Sequence, residues 1–256
     1  MSEAIDLRNV RALVSAQEWK VRVDLAAAYR LVALYGWDDM IFTHLSARVP
    51  GSEDHFLLNP FGMLFEEVTA SNLVKVDFEG NLVQDGGAGI NGAGFTIHSA
   101  VHMARHDANA VMHLHTEAGV AVSCMAGGLL PLNQHALFVY HDVAYHDWEG
   151  VAVNLEERER LIRDVGNRHL VLLRNHGTLA LGATVGSCFV RLYYLERACA
   201  IQVKAMAGGA LNPVSDAAAE FMRTRLGSAQ AWEGMASVAW PSLLRLAQRR
   251  SPGFDQ

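Results

Sequence analysis

Cysteine is scarce in this chain, and the three present, Cys124, Cys188 and Cys199, are widely spaced. An odd number with no CxxC pair argues against both a disulfide framework and a cysteine-built zinc site, and fits a reducing cytoplasm. No apolar run approaches the roughly 18 residues that a membrane-spanning helix needs. The opening Met1-Ser2-Glu3-Ala4-Ile5-Asp6 has neither the basic start nor the apolar block of a secretory signal, so cytoplasmic residence is the expectation. Basic charge is short as well. Lys+Arg number 21 against 27 Asp+Glu, a formal charge of -6, which argues against a nucleic-acid partner. No GxGxxG follows a strand signal and no Walker pattern occurs, so no nucleotide cradle is indicated. Repeats and low-complexity tracts are missing too.

What is there is the composition of a packed protein: 256 residues, 51% hydrophobic and 19% charged. Helix and strand signals alternate. Apolar positions at Trp19, Val23, Ala26, Ala27 and Leu34, with the stem of Arg30, predict a helix over 18–35 that Gly36 ends. Strands are expected at 41–49 and 55–59, and a hairpin at 73–77 and 82–84 around Glu79-Gly80-Asn81. The glycine-dense stretch 84–94 reads as a flexible loop near a site. Helices at 95–105 and 118–125 flank a strand at 110–115. An apolar strand at 169–174 breaks at Asn175-His176-Gly177 and extended structure resumes at 178–181. Thr184 caps a long helix to about residue 207, which Gly208-Gly209 stops. After Pro213 two more helices follow, the second interrupted at Pro241. This alternation predicts a three-layer α/β/α fold around a mixed, mainly antiparallel sheet. Residues 1–212 form its main domain, and 213–256 a helical extension packed on it or on a neighbouring subunit.

Twelve histidines carry the chemical signal. His113 and His115 stand at i and i+2 on a strand, so their rings share one face. His176, in a turn that Gly177 loosens, is placed to supply a third imidazole. Three neutral nitrogens suit Zn²⁺, Mn²⁺, Fe²⁺ or Co²⁺ and leave coordination positions open. Spacing alone leaves a plainer alternative, a structural or surface histidine pair.

Several segments go further. They are Thr43-His44-Leu45-Ser46-Ala47-Arg48-Val49, Leu58-Asn59-Pro60-Phe61-Gly62, Ile90-Asn91-Gly92-Ala93-Gly94-Phe95, His113-Leu114-His115-Thr116 and Leu173-Arg174-Asn175-His176-Gly177. From about residue 18 to 209 the chain resembles the class II aldolase/adducin family, nearer to the adducin head domain and its bacterial relatives than to sugar-phosphate aldolases. The resemblance implies a divalent metal, zinc before manganese, iron or cobalt, on His113, His115 and His176. It also implies a homotetramer of four-fold symmetry with small-molecule sites between neighbours.

Departures from the family pattern narrow the chemistry. Gly94 stands where family aldolases carry a catalytic glutamate, and Thr43-His44 and Gly92-Ala93 replace their phosphate-binding elements. The expectation is therefore a metal-dependent lyase, working by retro-aldol cleavage or decarboxylation through a metal-stabilised enolate. Its substrate is non-phosphorylated and oxygenated or aromatic. His44, Asn59, Gly62, Gly92 and Gly94 are candidate substrate contacts. His135, at the family's acid tyrosine, and Glu117, beyond His115, are candidate proton carriers; a polar loop histidine and a solvated helix acid are the plain alternatives. His98 reads as a satisfied buried histidine, and Tyr140, His141, Tyr145 and His146 as pocket lining or packing. Arg48 and Arg105 are the cations that a phosphate would want close by. The alternative function is a non-catalytic adducin-like scaffold of the actin-cytoskeleton type, favoured by Gly94 and opposed by the three histidines.

Overall fold

The computed structural model describes residues 10–84, 89–150, 156–226 and 228–256. Its elements run α1 (Val10–Leu13), α2 (Ala16–Leu34), β1 (His44–Arg48), β2 (His55–Leu58), β3 (Val74–Asp77), β4 (Leu82–Gln84) and α3 (Gly92–Ala104). There follow β5 (Ala110–Leu114), α4 (Glu117–Ser123), α5 (Gln134–Val139), β6 (Val143–His146), α6 (Glu157–Val165), β7 (Leu170–Leu173), β8 (Gly177–Gly182) and α7 (Val185–Ala207). Last come α8 (Asp216–Leu226) and α9 (Ala229–Arg250). The strands form one sheet in the order β4-β3-β2-β1-β5-β8-β7-β6. Every described neighbour pair is antiparallel except β6 with β7.

Strand alternation builds the layers. Along β5, Ala110, Met112 and Leu114 face one core with Leu45, Leu172 and Ala180, covered by residues of α2, α4, α5, α7 and α9. Val111 faces the other core with Val171, Leu179 and Leu181, under Ile97 and Val101 of α3 and Leu161 and Val165 of α6. The fold is therefore the three-layer α/β/α arrangement expected. Among the described residues no helix is long and apolar enough to cross a membrane.

Local chemistry explains the differences from the sequence reading. The Ser15 hydroxyl caps α2, accepting from the Glu18 N–H at 3.0 Å. The buried stripe of α2 runs through Glu18, Arg22, Leu25, Tyr29 and Val32 rather than through Trp19 and Val23. Two charged residues lie inward because they are fully paired. Arg22 Nε donates to Glu18 at 2.9 Å, its Nη1 to the carbonyls of Ala70 and Leu73, and its Nη2 to Gln84 at 2.8 Å. Lys75 Nζ completes the group 2.8 Å from Glu18. Helix α3 begins at Gly92, not Phe95, so Gly92 to Gly94 are its first turn; residues 85–88 of the glycine-dense stretch lie outside the described residues. Helix α9 continues through Pro241 without interruption. A proline in a helix interior costs about 3 kcal/mol. Buried Trp232, Ala236, Trp240 and Ala247 offset it, and Trp240 Nε1 donates to Asp24 of α2 at 3.0 Å.

Arg22→Met removes one partner of a buried ion pair and leaves two loop carbonyls unbonded. Urea unfolding should show a loss of about 3 kcal/mol or more; a loss under about 1 kcal/mol would contradict this role for the guanidinium.

Candidate metal centre

His113 is the penultimate residue of β5, on the α3 side of the sheet, and His115 follows just past the strand end. His176 enters from the turn between β7 and β8. That turn is closed by the His176 N–H donating to the Leu173 carbonyl at 3.0 Å, with Asn175 at φ 59°. Asparagine tolerates this left-handed conformation better than most residues. The Arg174 guanidinium, 4.3 Å from the Tyr145 ring centre and donating to the Met125 carbonyl at 2.7 Å, braces the same turn. Gly177 is needed for close approach rather than for backbone freedom, which corrects the sequence reading. A Cβ there would lie 2.3 Å from the Leu114 carbonyl oxygen.

The three histidines offer nitrogens that all lie within 4.8 Å of one another. His113 Nδ1–H donates to the Thr178 carbonyl at 2.9 Å, and His115 Nδ1–H donates to Asp39 at 3.0 Å. With both rings neutral, the two Nε2 atoms face one another 2.9 Å apart. Such a contact is stable when a proton or a metal ion bridges it, and with the third imidazole beside it the donor set fits a divalent metal. Burial, then the neighbouring rings, hold the His113 imidazolium well below its ordinary range, and burial with His115 lowers His176 to about 4. Neutral rings are the ligating form. Trp148 meets His176 in a T-shaped ring contact, with centroids 5.3 Å apart. A groove of about 800 Å³ lined by Tyr35, Tyr193, Tyr194 and Met235 lies elsewhere and carries no such chemistry.

The profile of the Class II Aldolase and Adducin N-terminal domain matches residues 23–203. The chain belongs to that family. It is 55% identical to a Caulobacter vibrioides protein named "Putative aldolase class 2 protein", over 98% of both chains. With mouse alpha-adducin it shares 46% identity over 82% of its own length but only 29% of the adducin's. The crystal structure of an aldolase II superfamily protein from Pseudomonas syringae superposes with a TM-score of 0.91 at 48% identity, covering 96% of this chain and 99% of that one. An L-fuculose 1-phosphate aldolase from Glaciozyma antarctica PI12 gives 0.82 at 31% identity, covering 93% and 94%. Proteins of the class II aldolase superfamily are typically metal-dependent lyases.

Positions 94 and 44 share one space. A Cβ on Gly94 would lie 2.4 Å from His44 Cδ2 and 2.7 Å from its Nε2. The His44 ring therefore fills the space that a side chain at 94 would enter. It pairs across β1 and β5 with His113, their ring centroids 5.2 Å apart. The residue before it, Thr43, is buried at φ 64° with its hydroxyl unpartnered. That is a strained conformation for a β-branched residue, costing on the order of 1–3 kcal/mol.

The other candidates are scattered. Asn59 turns its Oδ1 to the Tyr29 hydroxyl at 2.8 Å. Gly62 and Gly92 are exposed, with nothing within 4 Å of a built Cβ. His135 packs on Tyr194 of α7, and Glu117 is exposed at the start of α4. Tyr145 accepts from the Leu129 N–H at 3.1 Å, and His146 bonds Asp164 at 2.7 Å, so both pack.

Sequence reasoning missed Asp39 and Glu196. Asp39 lies in an irregular turn that no periodicity marks. Glu196 was visible as the lone acid of α7, between Leu192 and Cys199 on its buried side. Its carboxyl receives the Thr116 hydroxyl, and that of Thr178 at 2.5 Å. Thr116 follows His115 in sequence, and Thr178 holds His113, so Glu196 braces both histidines from behind. Burial raises its carboxyl from 4.5 to about 7.

Folded protein thus binds this proton more tightly than the unfolded chain does. The stability it contributes is fully present below pH 4.5 and is lost as pH rises through 7, roughly 3 kcal/mol in all. Glu196→Gln should remove that slope, so the wild-type-minus-variant difference in urea unfolding falls by this amount across the window. A flat difference would refute the buried carboxyl's role. Gly177→Ala should weaken zinc affinity about ten-fold or more by moving His176, as read by calorimetry; unchanged affinity would mean that the close approach does not set the ligand.

Proposed function

We propose that this chain is a divalent-metal-dependent carbon–carbon lyase, acting by retro-aldol cleavage or decarboxylation on a non-phosphorylated, oxygenated or aromatic small molecule. The observation that carries the reading is the convergence of His113, His115 and His176, with the outer nitrogens of His113 and His115 already committed to Thr178 and Asp39. Held there, a divalent ion, with zinc the best match to three imidazoles, supplies an electrophile for a substrate oxygen on which charge develops.

The chain's own residues supply orientation. Asp39 and the Thr178 carbonyl fix which nitrogen of each ring faces inward, and Glu196 holds the two threonines that frame the site. The relative from Glaciozyma antarctica is by name a sugar-phosphate enzyme, but phosphate anchors are poorly supplied here. Arg48 is committed to the carbonyls of Glu53 and His102. Arg105 is committed to those of Gly166 and Arg168 and to Asp107. The scaffold reading drew on the loss of a side chain at Gly94, and His44 takes up that space. In the homotetramer that family resemblance implies, His135 serves a neighbour's centre as the proton carrier, with Glu117 as a second acid near the site rim.

Zinc should bind once per chain, and His176→Ala should weaken it more than about 100-fold. Hydroxylated carbonyl compounds and aromatic carboxylates screened by mass spectrometry should release an aldehyde such as formaldehyde, or CO₂. That release should stop on chelation and return with zinc. Turnover that survives full metal removal would contradict the proposal.

A further inference from the structure

Behind His44 runs an unbroken line of buried hydrogen bonds. His44 Nδ1 lies 2.9 Å from His98 Nε2, His98 Nδ1 meets the Ser46 hydroxyl, and that hydroxyl lies 2.8 Å from His102 Nε2. His102 Nδ1 ends the line 3.2 Å from the Ala108 carbonyl. His44 is 5% exposed, and Ser46, His98 and His102 are 0% exposed. The geometry follows from two periodicities. His44 and Ser46 share a face of β1 at i and i+2, and His98 and His102 share a face of α3 at i and i+4.

The line has a fixed direction. A carbonyl only accepts, so His102 carries its proton on Nδ1. The neutral ring then has a bare Nε2, which takes the single hydroxyl proton of Ser46. Ser46 must therefore accept from His98 Nδ1–H, leaving His98 Nε2 bare to accept from His44 Nδ1–H. His44 Nε2 is left with a lone pair and makes no hydrogen bond among the described residues. Among the described residues no carboxylate bonds any of the three rings, and burial lowers all of them, His102 to about 3.

We infer that the His102–Ser46–His98–His44 line is a tautomer relay that presents His44 Nε2, unprotonated, as a hydrogen-bond acceptor beside the three-histidine centre. The group it would receive is a substrate hydroxyl next to an oxygen that a metal held by the three histidines would polarise, which narrows the substrate class to α-hydroxy carbonyl compounds and their like. This rests on the metal-centre reading above and deepens it. His44 touches substrate; Ser46, His98 and His102 are positioning residues.

Neutron diffraction from perdeuterated, zinc-loaded crystals reads the relay directly. Deuterium is expected on Nδ1 of His102, His98 and His44, and none on His44 Nε2; deuterium on that atom overturns the relay. Its use is read with two probes that differ by one hydroxyl, glycolohydroxamate and acetohydroxamate, bound to zinc-loaded protein. The hydroxylated probe should bind about five-fold more tightly, the worth of one hydrogen bond. Ser46→Ala should lose that preference with zinc stoichiometry unchanged, and Ser46→Thr should keep it. Equal binding of the two probes by wild type, or a preference that survives Ser46→Ala, overturns the inference and leaves the metal centre standing. Binding of neither probe overturns the metal-centre reading itself.

Discussion

Where β8 begins, it runs so close to the end of β5 that residue 177 has room for hydrogen alone, a Cβ there falling 2.3 Å from the Leu114 carbonyl oxygen. Much follows from that approach. The pairing of Leu114 with Thr178 and of His113 with Leu179 places the Thr178 carbonyl against His113. It also brings the Leu173–His176 turn down beside the strand end, so that His176 meets two histidines 61 and 63 positions earlier in the chain. The sheet then does the rest by alternation. The side of β5 that carries Val111 and His113 faces α3, while the side that carries Met112 and Leu114 faces the larger core. Rigid packing on both sides holds ring orientations that isolated loops would not.

Much of this was legible in the sequence because it depends on short-range spacing. The histidine pair at i and i+2, the turn at Asn175-His176-Gly177 and the cap at Thr184 each depend on residues close in sequence, although His115 lies just past the end of its strand. What escaped was long-range compensation. Nothing within α2 announces that Glu18 and Arg22 face inward, because the carbonyls, Gln84 and Lys75 that satisfy them come from residues 70–84. Nothing within α9 announces that Pro241 is tolerated, because Trp240 draws its support from α2 and α7. Asp39 and Glu196 escaped for the same reason, Asp39 meeting His115 from 76 residues away and Glu196 meeting Thr116 from 80 residues away.

At the centre, two positions share one space. Position 94 has no side chain and position 44 carries an imidazole, and the ring stands where a side chain at 94 would pass. His44 lies on β1 beside His113 and is tied to three further buried residues. Membership of the class II aldolase and adducin family sets the fold, and the groups around the three histidines would tune the chemistry of a bound metal.

The account stands on three imidazoles sharing one ion. X-ray absorption at the zinc edge of the loaded protein measures that directly. It should report three imidazole nitrogens at about 2.0–2.1 Å and a light-atom ligand in the remaining position. A sulfur near 2.3 Å, or fewer than three imidazoles, would contradict it.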